Sequence, residues 1–184
     1  MKNNRLYISL LLFIISISDV VMLKAEPVTG EKNIVDYYLQ LPDEYFFCET
    51  LIIPDRKDKL SLIKKKNLKD GYILASTKDG DFPLETALFT DDYMGLKLIA
   101  VNVRCGSGCM CRKLDFFFVS DGKLMKSAND YLFPKNDEIE KAAGIKDGYE
   151  FSLPGDGKYI NVIDGDSGKV LLKIEWSGGT FNIK

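Results

Sequence analysis

Three cysteines stand within seven residues, Cys105, Cys109 and Cys111, in the stretch RCGSGCMCRK that spans residues 104 to 113. A fourth cysteine, Cys48, lies far upstream. Sulfur groups at this spacing suit three kinds of chemistry: a pair of disulfides, a thiolate metal site or a reactive thiol. Each of these three sites is typical of a different class of protein, so the sequence has to be tested against each of them.

We favour the disulfides for a chain that leaves the cytoplasm, because compartments outside it are oxidising. A bond between Cys109 and Cys111 would close a very small ring, against the preferred Cα separation of about 5.5 Å. Cys48 would then bond to Cys109 or Cys111, and Cys105 to the other. A bond from Cys48 closes a loop of about 60 residues, worth about 4 kcal/mol on the chain-entropy model.

The first alternative is a soft-metal site. Cys105, Cys109, Cys111 and the intervening Met110 offer sulfur donors suited to Cu(I), and Cys48 would complete a tetrahedral thiolate site of the kind that zinc prefers. Structural zinc sites usually bring two pairs of ligands, whereas one ligand here would be solitary.

The second alternative is a thiol-redox centre. Arg104, Arg112 and Lys113 would stabilise a thiolate and lower the pKa of a nearby cysteine. The two-residue spacing of thioredoxin-type centres is missing. Soft-metal binding or thiol-redox chemistry therefore stays the alternative function.

The chain contains no histidine. This excludes a Ser-His-Asp triad, a Cys-His pair and every zinc site with a histidine ligand. Carboxylate catalysis would need two acidic side chains that face one cleft about 5–10 Å apart, which a linear sequence does not show. We predict a non-catalytic protein with no cofactor.

The segment DGDSG at residues 164–168 suggests a calcium loop, with Asp164, Asp166 and Glu175 as ligands. Such a loop needs an oxygen ligand at its fifth position and glycine at its sixth. The chain has Gly168 and Lys169 there. The segment is therefore predicted to be a hairpin turn.

Residues 1–25 resemble a secretory signal peptide. Lys2 and Arg5 precede an apolar run from Leu6 to Ser18, and a small residue, Ala25, stands at the predicted cleavage site. Asp19 interrupts the run before the roughly 20 residues that a membrane span needs. We predict cleavage after residue 25, one β-rich globular domain over 26–184, a periplasmic or secreted location, and no stable membrane insertion.

The charge pattern argues against nucleic acid as a partner. The whole chain carries a net charge of −2, and residues 1–25 contribute +2 of it, so residues 26–184 carry −4. A phosphate backbone needs clustered lysine and arginine, and the only short run is KKK at 64–66. We interpret that run as a solvated strand end.

The apolar pattern predicts an antiparallel meander. Short runs are separated by Lys69-Asp70-Gly71, Lys78-Asp79-Gly80 and Ser120-Asp121-Gly122, and Asp-Gly suits type I′ hairpin turns. The predicted strands lie at 60–63, 72–76, 85–89, 96–103 and 114–119, with a short extended piece at 130–134 and three further strands in the segments GYEFSL, KYINVI and KVLLKIEW.

Two short helices are predicted. The first spans 33–41, with Asn33 as N-cap and Pro42 after its end. The second lies within 134–148, with Asn136 or Asp137 as cap and Gly144 as its stop. The fold class is therefore mainly β, an antiparallel meander or sandwich with two short helices. The aromatic runs EYFF and FFF, and Trp176, are predicted to be core residues.

The segment ALFTDDYMGLKLIAVNVRCGSGCMCRKLDFFFVSDGKL at 87–124 resembles a group of uncharacterised exported bacterial β-rich proteins. In these a Leu-Phe strand, an acidic turn, a Cys-Gly-x-x-Cys loop, an aromatic strand and an Asp-Gly-Lys turn follow one another. This chain differs in its Cys-Gly-Ser-Gly-Cys spacing and in Cys111. The resemblance implies an exported bacterial domain and no particular activity. We therefore expect a binding or interaction module whose partner is a protein or a small molecule.

Overall fold

The computed structural model describes residues 32–46, 56–76, 83–104, 113–146 and 148–184. These ranges contain ten β-strands in two antiparallel sheets, three α-helices and two 3₁₀ helices. The predicted mainly β fold class is confirmed. None of the helices in these ranges is long and apolar enough to cross a bilayer.

The first sheet is a six-stranded meander in which each strand pairs with the next one along the chain. Its strands are β1 (Ile63–Asn67), β2 (Tyr72–Ala75), β3 (Leu84–Asp91), β4 (Leu96–Val103), β5 (Lys113–Ser120) and β6 (Lys123–Lys126). The three lysines at 64–66 lie within β1 and are exposed, as their interpretation as solvated residues requires.

The turn between β5 and β6 follows from its two central residues. Asp121 and Gly122 have φ angles of 49° and 69°. Positive φ at both positions defines the type I′ turn, and glycine adopts it without steric cost. The hairpin predicted from Ser120-Asp121-Gly122 is therefore confirmed.

The second sheet is a four-stranded meander. Its strands are β7 (Tyr149–Ser152), β8 (Tyr159–Asp164), β9 (Val170–Ser177) and β10 (Thr180–Ile183). The segment DGDSG forms the turn between β8 and β9, where the Asp164 carboxylate accepts hydrogen bonds from the Ser167 N–H and hydroxyl, both at 2.7 Å. The prediction of a hairpin turn at this position is confirmed.

The two sheets pack against each other through one apolar cluster. Phe116 of the first sheet contacts Phe181 of the second, with ring centroids 5.1 Å apart. Trp176 lies 4.9 Å from the same Phe181 ring and donates its indole N–H to the Thr90 carbonyl at 3.2 Å. Trp176 is therefore a core residue, as predicted.

The first sheet is covered on its other face as well. Helix α1 (Ile34–Tyr38) and the 3₁₀ helix Asp43–Phe46 pack onto that face through a second apolar cluster. Because side chains alternate along a strand, Phe116 enters the first cluster and Phe117 the second. The continuous aromatic run in β5 thus reflects a strand buried on both faces, as predicted.

Helix α1 begins at the predicted cap. The Asn33 side chain accepts a hydrogen bond from the Val35 N–H at 2.8 Å, and the Asp36 carboxylate accepts one from the Asn33 N–H at 3.0 Å. This reciprocal arrangement is a capping box. A cap of this kind contributes about 1 kcal/mol to helix stability.

The predicted strand at 60–63 is wrong. Helix α2 (Arg56–Ser61) occupies the first half of it, and β1 begins only at Ile63. A buried lysine, Lys59, anchors this helix: its ammonium donates to the Leu41 carbonyl at 2.9 Å, and its own carbonyl accepts from the Tyr38 hydroxyl at 2.8 Å. These contacts with Tyr38 and Leu41 stabilise a helix at residues 56–61. Because both partners are distant in sequence, the local apolar pattern does not show them.

The extended piece predicted at 130–134 is also wrong, because a 3₁₀ helix forms at Asn129–Tyr131. The Leu132 and Phe133 N–H groups both donate to the Asn129 carbonyl at 3.0 Å. The Asn129 side chain is held in turn by the Leu114 carbonyl of β5, at 2.7 Å. A contact between distant residues again decides the local structure.

Helix α3 (Asn136–Ala143) ends at Gly144, whose φ of 69° is the left-handed C-cap conformation predicted for it. The predicted N-cap, Asn136 or Asp137, is wrong by one or two residues. Lys135 is the N-cap, and its N–H donates to the Glu138 carboxylate at 3.0 Å. The acidic first turn still suits the positive end of the helix dipole.

Candidate functional site

A cleft opens between the two sheets where β4 ends and β5 begins. Its volume is about 710 Å³, within the roughly 300–1,000 Å³ of small-molecule sites. We call it the Arg104 cleft. It is lined by Asn102 and Val103 of β4, Arg104 directly after that strand, Lys113 and Leu114 of β5, Asn129, the segment 133–137 at the start of α3, and Tyr149 to Phe151 of β7.

Two polar side chains of the cleft lie at the end of the apolar face of β4. Leu98 and Ala100 belong to the cluster between the sheets. Two and four residues further along, Asn102 and Arg104 share the same face of the strand because strand side chains alternate. The core between the sheets therefore changes from apolar to polar at the end of β4.

Glu85 anchors this polar region from the neighbouring strand, where it lies opposite Asn102. It is buried, and its carboxylate accepts from the Asn102 amide at 2.7 Å, the Tyr72 hydroxyl at 3.3 Å and the Leu153 N–H at 3.3 Å. The Asn102 amide also donates to the Phe151 carbonyl at 2.8 Å. These bonds join β2, β3 and β4 of the first sheet to β7 and the residue after it.

The Tyr72 hydroxyl is held as a donor by its surroundings. Burial, and then the charge and hydrogen bond of Glu85, raise the pKa of Tyr72 well above its ordinary value of 10.0, and Arg104 opposes this only partly. The hydroxyl stays protonated at any physiological pH. Glu85 therefore keeps its full set of donors under those conditions.

Arg104 lies between two carboxylates. Its terminal nitrogens lie 3.8 Å from Glu85 and 3.9 Å from Glu150. Its backbone N–H donates to the Pro83 carbonyl at 3.0 Å, which fixes the end of β4. Its Nε atom is buried and has no hydrogen-bond partner. The terminal nitrogens, and not Nε, form the ion pairs of this side chain.

Asn129 has the complementary feature. Its amide nitrogen donates to the Leu114 carbonyl, whereas its Oδ1 atom is buried without a partner. A buried polar atom that lacks a partner costs about 1–3 kcal/mol. Arg104 and Asn129 therefore each carry one such atom, buried beneath the accessible surface of the cleft.

Three aromatic rings form another side of the cleft. Phe133 and Phe151 meet edge to face with centroids 5.4 Å apart, and Tyr149 meets Phe151 in the same way at 5.6 Å. Edge-to-face pairs of this kind hold one another in place. Fixed aromatic rings beside a few placed polar groups are the usual composition of a ligand site.

The lining charges nearly cancel. Arg104 and Lys135 are positive, and Asp137 and Glu150 are negative, whereas the ammonium of Lys113 pairs with Asp115 on the opposite face of the first sheet. Glu85 adds a third carboxylate behind Arg104. The cleft therefore has no strong excess of either sign.

A second polar cluster lies on the opposite face of the first sheet. The Asp115 carboxylate accepts from the Tyr45 hydroxyl and pairs with Lys113 and Lys126, both at 3.2 Å. Burial raises the pKa of Asp115, but the hydrogen bonds from Tyr45 and Lys113 outweigh it, and the pKa falls below its ordinary 3.8. This cluster ties the N-terminal segment to β5 and β6.

The four cysteines predicted as disulfide partners, or alternatively as metal ligands, lie outside the described residues: Cys48, Cys105, Cys109 and Cys111. Arg104 and Lys113, which flank residues 105–112 in the sequence, both line the cleft. In the described ranges no group of three or more acidic or cysteine side chains is arranged to hold a metal ion.

The sequence did not lead to a prediction of this cleft. The feature that could have indicated it is Asn102 in the largely apolar LKLIAVNV, because strand alternation assigns this polar residue to the core. Glu85 gives the same signal in the neighbouring strand. Comparison with protein-family models, curated proteins and solved structures finds no match to this chain.

The fold and the cleft define a β-rich protein of two packed meanders with a ligand-sized opening between them. The prediction of a bacterial exported chain stays a prediction.

Proposed function

We propose that the chain is a non-catalytic binding module that holds a small molecule in the Arg104 cleft. The observation that carries this proposal is a cleft of about 710 Å³ whose lining combines the Arg104 guanidinium, held between two carboxylates, with the aromatic residues Phe133, Tyr149 and Phe151. A few placed polar groups beside aromatic rings are the usual composition of a small-molecule site.

The arrangement of the carboxylates favours binding over catalysis. Glu85 is surrounded by donors, and both Glu85 and Glu150 pair with Arg104. A general acid or base needs a proton that it can exchange with a substrate. Carboxylates that are committed to neighbouring donors instead hold Arg104 in position.

We also propose that the module works outside the cytoplasm, in the periplasm or after secretion. The basic and apolar character of residues 1–25 supports this location. Its four cysteines would then form disulfides.

The test is a screen of a small-molecule fragment library against the isotope-labelled full chain, recorded by NMR of the backbone amides. We expect hits whose shift changes cluster at Asn102, Arg104, Asn129 and Glu150. Arg104→Gln should weaken such hits about five-fold, the loss of one hydrogen bond of about 1 kcal/mol.

The matched control is Arg56→Gln, because Arg56 is exposed on α2, outside the cleft. It should leave the affinities unchanged. Hits that avoid the cleft, hits unaffected by Arg104→Gln, or hydrolytic turnover by the purified chain would each contradict the proposal. Thermal melting of both variants shows whether a lost signal reflects unfolding.

A further inference from the structure

We propose that a second surface of this protein, the edge of the first sheet at β1, binds to bilayers that contain anionic lipid. This is attachment to the membrane surface, which requires no segment that spans the bilayer. It is independent of what the Arg104 cleft holds. Three observations carry it: the charge of residues 55–70, the exposure of the basic side chains in that segment, and two exposed leucines among them.

The charge of the chain is concentrated at this edge. Residues 55–70 contain seven basic and three acidic residues, a net charge of +4. Because residues 26–184 carry −4 in total, the rest of that range carries −8. An anionic surface therefore attracts the β1 edge and repels the remainder, which orients the protein with β1 toward the lipid.

Six of the seven basic side chains are exposed. β1 is the edge strand of its sheet, and β2 is its partner. The buried one, Lys59, pairs with Asp43 at 2.8 Å. None of the other six forms an ion pair with a carboxylate of the described residues, so their charges are available to an external anion. The six are Arg56 and Lys57 of α2, Lys64, Lys65 and Lys66 of β1, and Lys69 of the β1–β2 turn.

Protection of the sheet edge explains only part of this surface. Lysines on an edge strand prevent other strands from pairing with it, which accounts for β1 but not for Arg56 and Lys57 on a helix. It also does not account for Leu60 and Leu68, which are 43% and 52% exposed. Leu60 lies beside Lys57 and Arg56 on the surface of α2, three and four residues after them. Leu68 directly follows β1 and precedes Lys69.

Exposed leucines beside lysine and arginine are typical of surfaces that lie in the membrane interface. The cations are attracted to the anionic headgroups, whereas the leucine side chains enter the boundary between headgroups and acyl chains. The phosphate backbone of a nucleic acid attracts the cations but offers no hydrocarbon to the leucines. A bilayer satisfies both kinds of side chain and imposes no fixed spacing on them.

The test is cosedimentation of the purified full chain with two kinds of vesicle. One contains equal parts of phosphatidylglycerol and phosphatidylcholine, and the other contains phosphatidylcholine alone. We expect about ten-fold or more tighter binding to the anionic vesicles. This preference should disappear when the salt rises from about 0.1 M to about 1 M, because the Debye length falls from about 10 Å to about 3 Å. Mass spectrometry checks that all variants share one N terminus, so any contribution of residues 1–25 cancels between them.

A triple variant of β1 tests the cations. It exchanges three lysines for glutamine, Lys64→Gln, Lys65→Gln and Lys66→Gln, and should weaken binding about 100-fold, or about five-fold for each lysine. The matched control changes the net charge equally at three exposed lysines outside this edge and should weaken binding less than about three-fold. Its substitutions are Lys141→Gln, Lys146→Gln and Lys169→Gln.

Leu68→Ser tests the apolar contact. It removes a half-exposed apolar side chain and should weaken binding to the anionic vesicles about five-fold. Its control is Met125→Ser, because Met125 is exposed to a similar degree, 53%, and lies on β6, the opposite edge strand of the same sheet. This control should leave the binding unchanged.

The outcomes separate a lipid surface from other partners. Equal affinity for the two kinds of vesicle, or an equal loss in the two triple variants, would overturn the proposal. Long-chain polyphosphate and double-stranded DNA are the soluble polyanions for comparison. Tighter binding to either of them, with no effect of Leu68→Ser on the vesicles, would assign the edge to a soluble polyanion instead. Thermal melting checks that each variant is folded, and Lys65→Gln alone, with an expected loss of about five-fold, decides if the triple variant is not.

Discussion

Glu85→Leu should be among the most damaging single changes to this fold. The substitution leaves two buried donors, the Tyr72 hydroxyl and the Leu153 N–H, without the carboxylate that accepts from them. It also leaves Arg104 with one acidic partner, Glu150, instead of two. Each donor left unpaired costs about 1–3 kcal/mol, and the lost attraction to Arg104 adds about 1 kcal/mol or less, because that guanidinium is partly exposed and 3.8 Å away.

We therefore expect Glu85→Leu to lower the free energy of unfolding by about 3–5 kcal/mol. A domain of this size has about 5–15 kcal/mol in total, and each 1 kcal/mol shifts Tm by roughly 2–4 °C. The fall in Tm should then be roughly 6–20 °C. Urea unfolding at neutral pH measures the change, with fluorescence of Trp176, the only tryptophan and a core residue, as the probe.

Glu85→Gln separates the hydrogen bonds from the charge. The amide oxygen can accept from Asn102 and Leu153, and the amide nitrogen can donate to the Tyr72 hydroxyl, which also accepts. The variant loses mainly the attraction to Arg104, so its cost should be only about 1–2 kcal/mol.

The matched control is Glu175→Leu, in which a partly exposed carboxylate loses the Tyr159 hydroxyl at 3.4 Å and Lys184 at 2.7 Å. Water replaces these partners, so the free energy of unfolding should stay close to that of the wild type. The reasoning is refuted if Glu85→Leu unfolds within about 1 kcal/mol of the wild type, or if Glu85→Gln is as costly as Glu85→Leu.

Two further predictions concern acid stability and the cysteines. The folded-state pKa of Asp115 lies below its ordinary 3.8, so its ionisation stabilises the fold above that value, and this contribution is lost as the pH falls through the folded pKa. Urea midpoints of the wild type and Asp115→Asn should therefore differ most at neutral pH and converge between about pH 5 and pH 2; a constant difference would contradict this. The intact mass of the full chain purified from an oxidising compartment, with and without thiol alkylation, should show two disulfides, no alkylatable thiol and no metal. Free thiols or bound metal would favour the alternative site at Cys48, Cys105, Cys109 and Cys111.

The sequence predicts the features that depend on neighbouring residues. Asp121-Gly122 specifies its turn because only a few residues tolerate positive φ at both central positions. Asn33 and Gly144 specify helix ends for similar local reasons: a side-chain acceptor near free N–H groups, and a missing Cβ. Strand periodicity then gives the meander, since a two-residue turn forces neighbouring strands to pair.

The sequence pattern did not predict the features that depend on contacts between distant residues. Helix α2 is held by Lys59, whose partner at Leu41 lies 18 residues away. The cleft is held by Glu85, whose bond to the Leu153 N–H joins residues 68 apart. Neither contact leaves a periodic pattern in the sequence. Glu85 does carry a weaker signal, because it is a charged residue within the largely apolar run PLETALF, whereas Lys59 stands among other charged residues in DRKDKL.

The position of the buried polar residues bears on their role. A sandwich core gains little stability from a buried charge network, and well-packed apolar residues in its place are often neutral or stabilising. On the face of β4 that meets the second sheet, Leu98 and Ala100 are apolar, and the buried Asn102 lies where the strand reaches the cleft. The proposed binding function accounts for the position of Asn102 and its partner Glu85, since they help to hold Arg104 beside the cleft. Glu85→Gln tests this argument, because it should preserve most of the stability and still weaken binding in the cleft once Arg104 loses one of its two anchors.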